Sequence, residues 1–141
     1  MAGSGAAEIV RGVARALAAA DQAVVAEVPL ANGRRADLVA LDRSGTISLI
    51  EVKVSRADFV ADRKWQDYLG YCDRFYFGVA AGFPLELLPP DEDLILADRF
   101  AGEILRAARI RCLSTPRRKA MLIRIARASA GPLQALLDPP V

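Results

Sequence analysis

Between Ala6 and Ala19 the apolar residues Ile9, Val10, Val13 and Leu17 recur at helical spacing, with Glu8, Arg11 and Arg15 on the other side, which predicts an amphipathic first helix. The period then shortens. AVVAEVPL (23–30) and RADLVAL (35–41) read as strands, and the Asn-Gly step of the intervening ANGR marks a tight hairpin. DRSG (42–45) turns the chain into a third strand, TISLIEVKV (46–54). SRAD (55–58) matches a capping box with Ser55 as N-cap and Asp58 in the first turn, opening a helix that should run to about Tyr71. On that helix Ala57, Val60, Lys64, Tyr68 and Tyr71 share one broad face, and Asp58, Asp62, Trp65 and Leu69 another. DRFYFGVA (73–80) reads as a buried fourth strand, parallel to the third because a helical crossover joins them. LILAD (94–98) and GEILRAA (102–108) are short strands, STPRRKAMLIRIARAS (114–129) is a late helix capped by Ser114 or Thr115, and LLDPPV (136–141) is a tail. The predicted fold is a single α/β domain over 1–141, with an antiparallel meander and a parallel strand in one mixed sheet flanked by helices.

Register decides what chemistry the meander can hold. A three-residue loop Arg43–Gly45, with Gly45 left-handed, pairs Leu41 with Ile47, Val39 with Leu49 and Asp37 with Glu51. Lys53 lies one step along the same face, while Ile50, Val52 and Val54 fill the opposite one. Charges in a buried strand need a partner, a metal or a ligand. Opposed carboxylates have Cβ atoms about 5 Å apart, close enough to share a divalent cation. A slip of one residue would scatter the group.

Composition sharpens this picture at three points. The chain contains no histidine, which excludes imidazole triads and His-ligated zinc or iron sites. Its net charge of +2 is unremarkable, but Arg106, Arg109, Arg111, Arg117, Arg118, Lys119, Arg124 and Arg127 fall in a segment without Asp or Glu, leaving the remainder net acidic. Within the late helix Arg117, Arg124 and Arg127 span an arc of about 80°, a ridge suited to a polyanion and equally to a solvated face. Cys72 and Cys112 have neither metal-ligand spacing nor a secretory signal ahead of them, which fits a reduced, cytoplasmic protein. No apolar run approaches the roughly 20 residues a membrane span requires.

Asp, Glu and Lys together, without His, suit metal-assisted phosphodiester hydrolysis. Carboxylates hold Mg²⁺ or Mn²⁺ and a lysine stabilises the charge that develops on the phosphoryl group. Asp37 on the second strand, Glu51-Val52-Lys53 on the third, and the crossover to a fourth resemble the PD-(D/E)XK nucleases, with Ala36 in place of the signature proline. The longer string from GRRADLVALDRSG through IEVKVSRADFVADRKWQDYLGYCDRFYFGV to PRRKAMLIRIAR is similar to the MmcB family of bacterial DNA repair proteins. The resemblances imply a restriction-endonuclease-like fold, a role in DNA damage repair, Asp37, Glu51 and the Val52 carbonyl as metal ligands, and Lys53 as the catalytic lysine. They leave open a non-cleaving DNA-binding or adaptor module, and a monomer or a homodimer. Glu8 stands where related nucleases often place a further acidic ligand, although Arg11 and Arg15 beside it suit a solvated face. Lys64 is a further site residue from the crossover helix. Arg34 and Arg35 flank the carboxylates and suit phosphate contacts or plain hairpin-edge charge; Asp58 reads as a cap, and Trp65 and Tyr68 as packing groups.

Overall fold

The computed structural model describes residues 2–106 and 110–141; Arg109 and the end of the GEILRAA run lie outside the described residues. One six-stranded sheet runs in sequence order: β1 (Ala23–Pro29), β2 (Arg35–Leu41), β3 (Ile47–Val52), β4 (Arg74–Val79), β5 (Asp93–Ala97) and β6 (Gly102–Arg106). β1 to β3 form the antiparallel meander, β4 and β5 each add parallel to the strand before, and β6 closes antiparallel on β5. Each strand sends alternate side chains to opposite faces, so the sheet carries two apolar layers. On one, α1 (Ala2–Ala19) packs Ile9, Val13 and Leu17 on Leu38, Ala40, Ile50 and Val52. On the other, Val39, Leu49, Phe75 and Phe77 meet Tyr68 and Met121 and Ile125 of α3 (Thr115–Leu137). With both faces covered, every residue of β3 is buried.

The register of the second hairpin is the predicted one: Leu41 pairs with Ile47, Val39 with Leu49 and Leu38 with Ile50. Gly45 takes φ +90°, and the Asp42 carboxylate accepts from the Ser44 and Thr46 N–H groups, which fixes the turn. The first hairpin is looser than its Asn-Gly step suggests, with Ala31–Gly33 as a three-residue loop closed by Leu30 N–H to Arg34 O at 2.8 Å.

Two predicted helices are corrected. The crossover helix does not run to Tyr71: α2 spans Arg56–Ala61 only, and a 3₁₀ segment follows at Trp65–Tyr71. Ser55 caps α2 as expected, but Asp62 leaves the helix in an extended conformation and its carboxylate takes the Lys64 N–H, a local bond that competes with the helical ladder. α3, capped by Ser114, continues past Pro132 to Leu137, so Leu136 and Leu137 are helical rather than tail. Beyond Ala128 every residue of the helix is exposed.

Asp73 pins α3 to the sheet. Its carboxylate, 2% exposed, accepts from the Ile47 and Leu113 N–H groups and from both terminal nitrogens of Arg118 at 2.7 Å.

Candidate active site

At the end of the meander, where the β2–β3 pairing stops at Leu38 and Ile50, side chains take over the bonding between the strands. The Glu51 carboxylate accepts the Asp37 N–H at 3.1 Å, and the Asp37 carboxylate accepts the Val52 N–H at 2.9 Å. The predicted pair of opposed carboxylates is therefore present and held in place by two cross-strand bonds, one from Asp37 N–H to Glu51 and one from Val52 N–H to Asp37. Glu51 and Lys53 are buried, and Asp37 is half-buried. Burial, reinforced by the adjacent Asp37 charge, pushes the Glu51 carboxyl up to about 8, and burial also raises Asp37. Lys53 offsets these shifts only in part. Its ammonium lies 2.8 Å from Asp62, which that bond and the Lys64 N–H hold below the usual carboxylate range despite the cost of desolvation.

Such a pair fits a hard cation. Each carboxylate accepts one backbone bond and keeps lone pairs free, and a cation would offset the desolvation that raises both groups and the Asp37 charge that adds to it at Glu51. Among the described residues no group of three or more His, Cys, Asp or Glu is arranged to hold a metal. The protein would thus supply Asp37, Glu51 and the Val52 carbonyl, with water or substrate completing the shell, the pattern Mg²⁺ prefers because it dehydrates reluctantly.

The family model for DNA repair protein MmcB-like matches residues 2–140. The chain belongs to this family. A protein of unknown function from Silicibacter pomeroyi has a solved structure similar to this one, with TM-score 0.91 and 45% identity over 95% of this chain and 92% of that one. No curated protein matches the chain.

Around the carboxylates of this MmcB-like chain, the other predicted residues are placed unevenly. Arg34, half-buried, pairs with Asp67 at 3.3 Å and lies 5.3 Å above the Tyr68 ring, so the structure brings it and Tyr68 beside the site. Arg35 is exposed, 3.9 Å from Glu27. Lys64 does not face inward: with the helix broken at Asp62 it is exposed, as is Val60. Glu8 is exposed on α1, the helix on the sheet face opposite Asp37 and Glu51, and is not brought to them. Trp65 packs against Phe75 and Phe77, and Asp58 accepts from the Ser55-capped turn's neighbour Val54 N–H at 3.0 Å, so both serve the fold as expected.

The basic segment divides. Arg106 and Arg111 are engaged by the loop around Glu92, and Arg118 by Asp73. Of the ridge, Arg117 donates to Gly70 O and Arg124 to Pro29 O, and Arg127 is exposed. Arg124 and Arg127 line a groove of about 630 Å³ beside Pro29, which pairs with Arg35 at the same end of the meander as Asp37. Asp62 is the site residue that sequence reasoning missed. A buried lysine demands a counter-charge, and that demand, applied to the next helix, was the available signal. Among the described residues no helix is long and apolar enough to cross a membrane.

Proposed function

We propose that this MmcB-like protein is a DNA repair nuclease of the PD-(D/E)XK type, dependent on Mg²⁺ or Mn²⁺. One observation carries the reading: Asp37 and Glu51 stand on adjacent strands, cross-bonded and partly desolvated, with a buried lysine on the same face. Asp37, Glu51 and the Val52 carbonyl would hold the cation, which when bound polarises a phosphodiester and makes its water more acidic. Glu51 must shed its proton before it can serve, since burial holds that proton until about pH 8. Lys53 offers positive charge where the phosphoryl oxygen gains negative charge, and low exposure strengthens that interaction. Arg34 and Arg35 contact phosphates at the site, and Arg117, Arg124 and Arg127 carry the flanking backbone.

A panel of labelled single-stranded, duplex, nicked and branched DNA, incubated with the protein in Mg²⁺, Mn²⁺ or EDTA, tests this directly. Cleavage should require the metal and disappear in Asp37→Asn and Lys53→Ala, the latter by about 10²-fold or more. Calorimetric Mn²⁺ binding should vanish in Asp37→Asn and survive in Lys53→Ala. A second reading, a DNA-binding module that does not cut, is favoured by the engagement of Lys53 with Asp62. Tight DNA binding without cleavage on any of these structures would establish it.

A further inference from the structure

Lys53 is 5% exposed, and the carboxylate it reaches is neither of the two that flank it on the sheet. An ammonium has three N–H donors. One goes to Asp62, and among the described residues the others meet no acceptor. Asp62 is itself fixed at both oxygens, Oδ1 by the Lys64 N–H at 3.1 Å and Oδ2 by Lys53 at 2.8 Å. The break in α2 makes this reach available. Asp58 ties the Val54 N–H at the start of the helix, and Asp62, one turn later, takes the lysine, so α2 holds the end of β3 at two points. Stability does not account for the pair, because a buried ion pair roughly breaks even against the water it gives up.

We propose that Asp62 is a positioning residue for Lys53. It draws the ammonium away from Asp37 and Glu51, keeping their lone pairs for a divalent cation, and leaves two N–H donors for an oxygen of the DNA phosphate. The inference rests on the nuclease reading above. Without Asp62, the four-carbon stem lets the ammonium swing onto the nearest remaining carboxylates, which are the metal ligands themselves.

The test compares wild type, Asp62→Asn and Asp62→Glu by three measurements: kcat and KM on a labelled oligonucleotide in Mn²⁺, calorimetric Mn²⁺ affinity without DNA, and the melting temperature. In Asp62→Asn, kcat should fall on the order of 10²-fold, the loss a displaced catalytic group produces, with KM little changed. Mn²⁺ affinity should weaken about tenfold, equivalent to about 1.4 kcal/mol. Asp62→Glu should recover part of both. Wild-type kcat and Mn²⁺ affinity in a folded Asp62→Asn would overturn the inference, as would equal losses in both variants that track a lowered melting temperature. If wild type cleaves nothing, the nuclease reading falls, and the Mn²⁺ arm alone decides Asp62: weakened binding in Asp62→Asn supports its positioning role, and unchanged binding overturns it.

Discussion

Glu51 concentrates the electrostatic tension of the site. Its carboxyl moves from 4.5 to about 8 because it is buried next to Asp37, and so the folded state holds a proton that the unfolded chain has already released. A group shifted upward in this way favours the fold below its unfolded pKa. That advantage is lost as the pH climbs from about 4.5 through about 8, leaving a buried charge above it. Metal-free protein should therefore melt progressively lower across that window. Glu51→Gln, which keeps an acceptor for the Asp37 N–H and cannot ionise, should flatten the profile and melt higher than wild type above about pH 8. The difference should shrink toward about pH 5, and its maximum should be on the order of a few kcal/mol. Parallel melting curves for the two proteins across this range would show that Glu51 is not the titrating group.

Among the elements, α1 approaches the β5–β6 turn so closely that Gly12 has no room for a side chain. A Cβ there would lie 1.6 Å from Asp98 O and 2.8 Å from Ala101 O, both backbone atoms that cannot step aside. Gly12→Ala should cost about 2 kcal/mol or more by overpacking, despite the better helix propensity of alanine, and denaturant unfolding would measure it. Nothing in the helical periodicity of α1 announces this contact, because it is set by a turn far along the chain. The meander was legible for the opposite reason. Its register depends on local turn chemistry at Asp42 and Gly45 and on alternation along β2 and β3, and these sufficed to oppose Asp37 and Glu51 before any tertiary contact was known. The early end of α2 was not legible, since Val60, Lys64 and Tyr68 keep helical spacing through it. The break follows from Asp62, whose carboxylate is engaged both by the next turn and by a lysine on another element. Gly131 and Pro132 similarly suggest a stop, yet α3 passes through them.

At the scale of the whole molecule, the acid-free segment is less of a polyanion surface than its charge suggests, because Arg106, Arg111 and Arg118 are spent on Glu92, Asp73 and nearby carbonyls. What remains on α3, besides the exposed Lys119, is the ridge of Arg117, Arg124 and Arg127, in which Arg117 and Arg124 each donate to one backbone carbonyl. Replacing these three by Gln should weaken DNA affinity across sequences and reduce the slope of log K against log [salt] by up to about 0.9 for each phosphate interaction removed on duplex DNA. An unchanged slope would move the interface to Arg34 and Arg35. The clamp between Arg118 and Asp73 spans 45 residues. During synthesis, the strands from β1 to β6 are all translated before the guanidinium that neutralises Asp73, and closing them around an unpaired carboxylate would cost several kcal/mol. The Asp73 end of the nascent sheet should therefore stay open to water until the C-terminal helix is made, so that this end of the sheet and its basic flank close together in one late step.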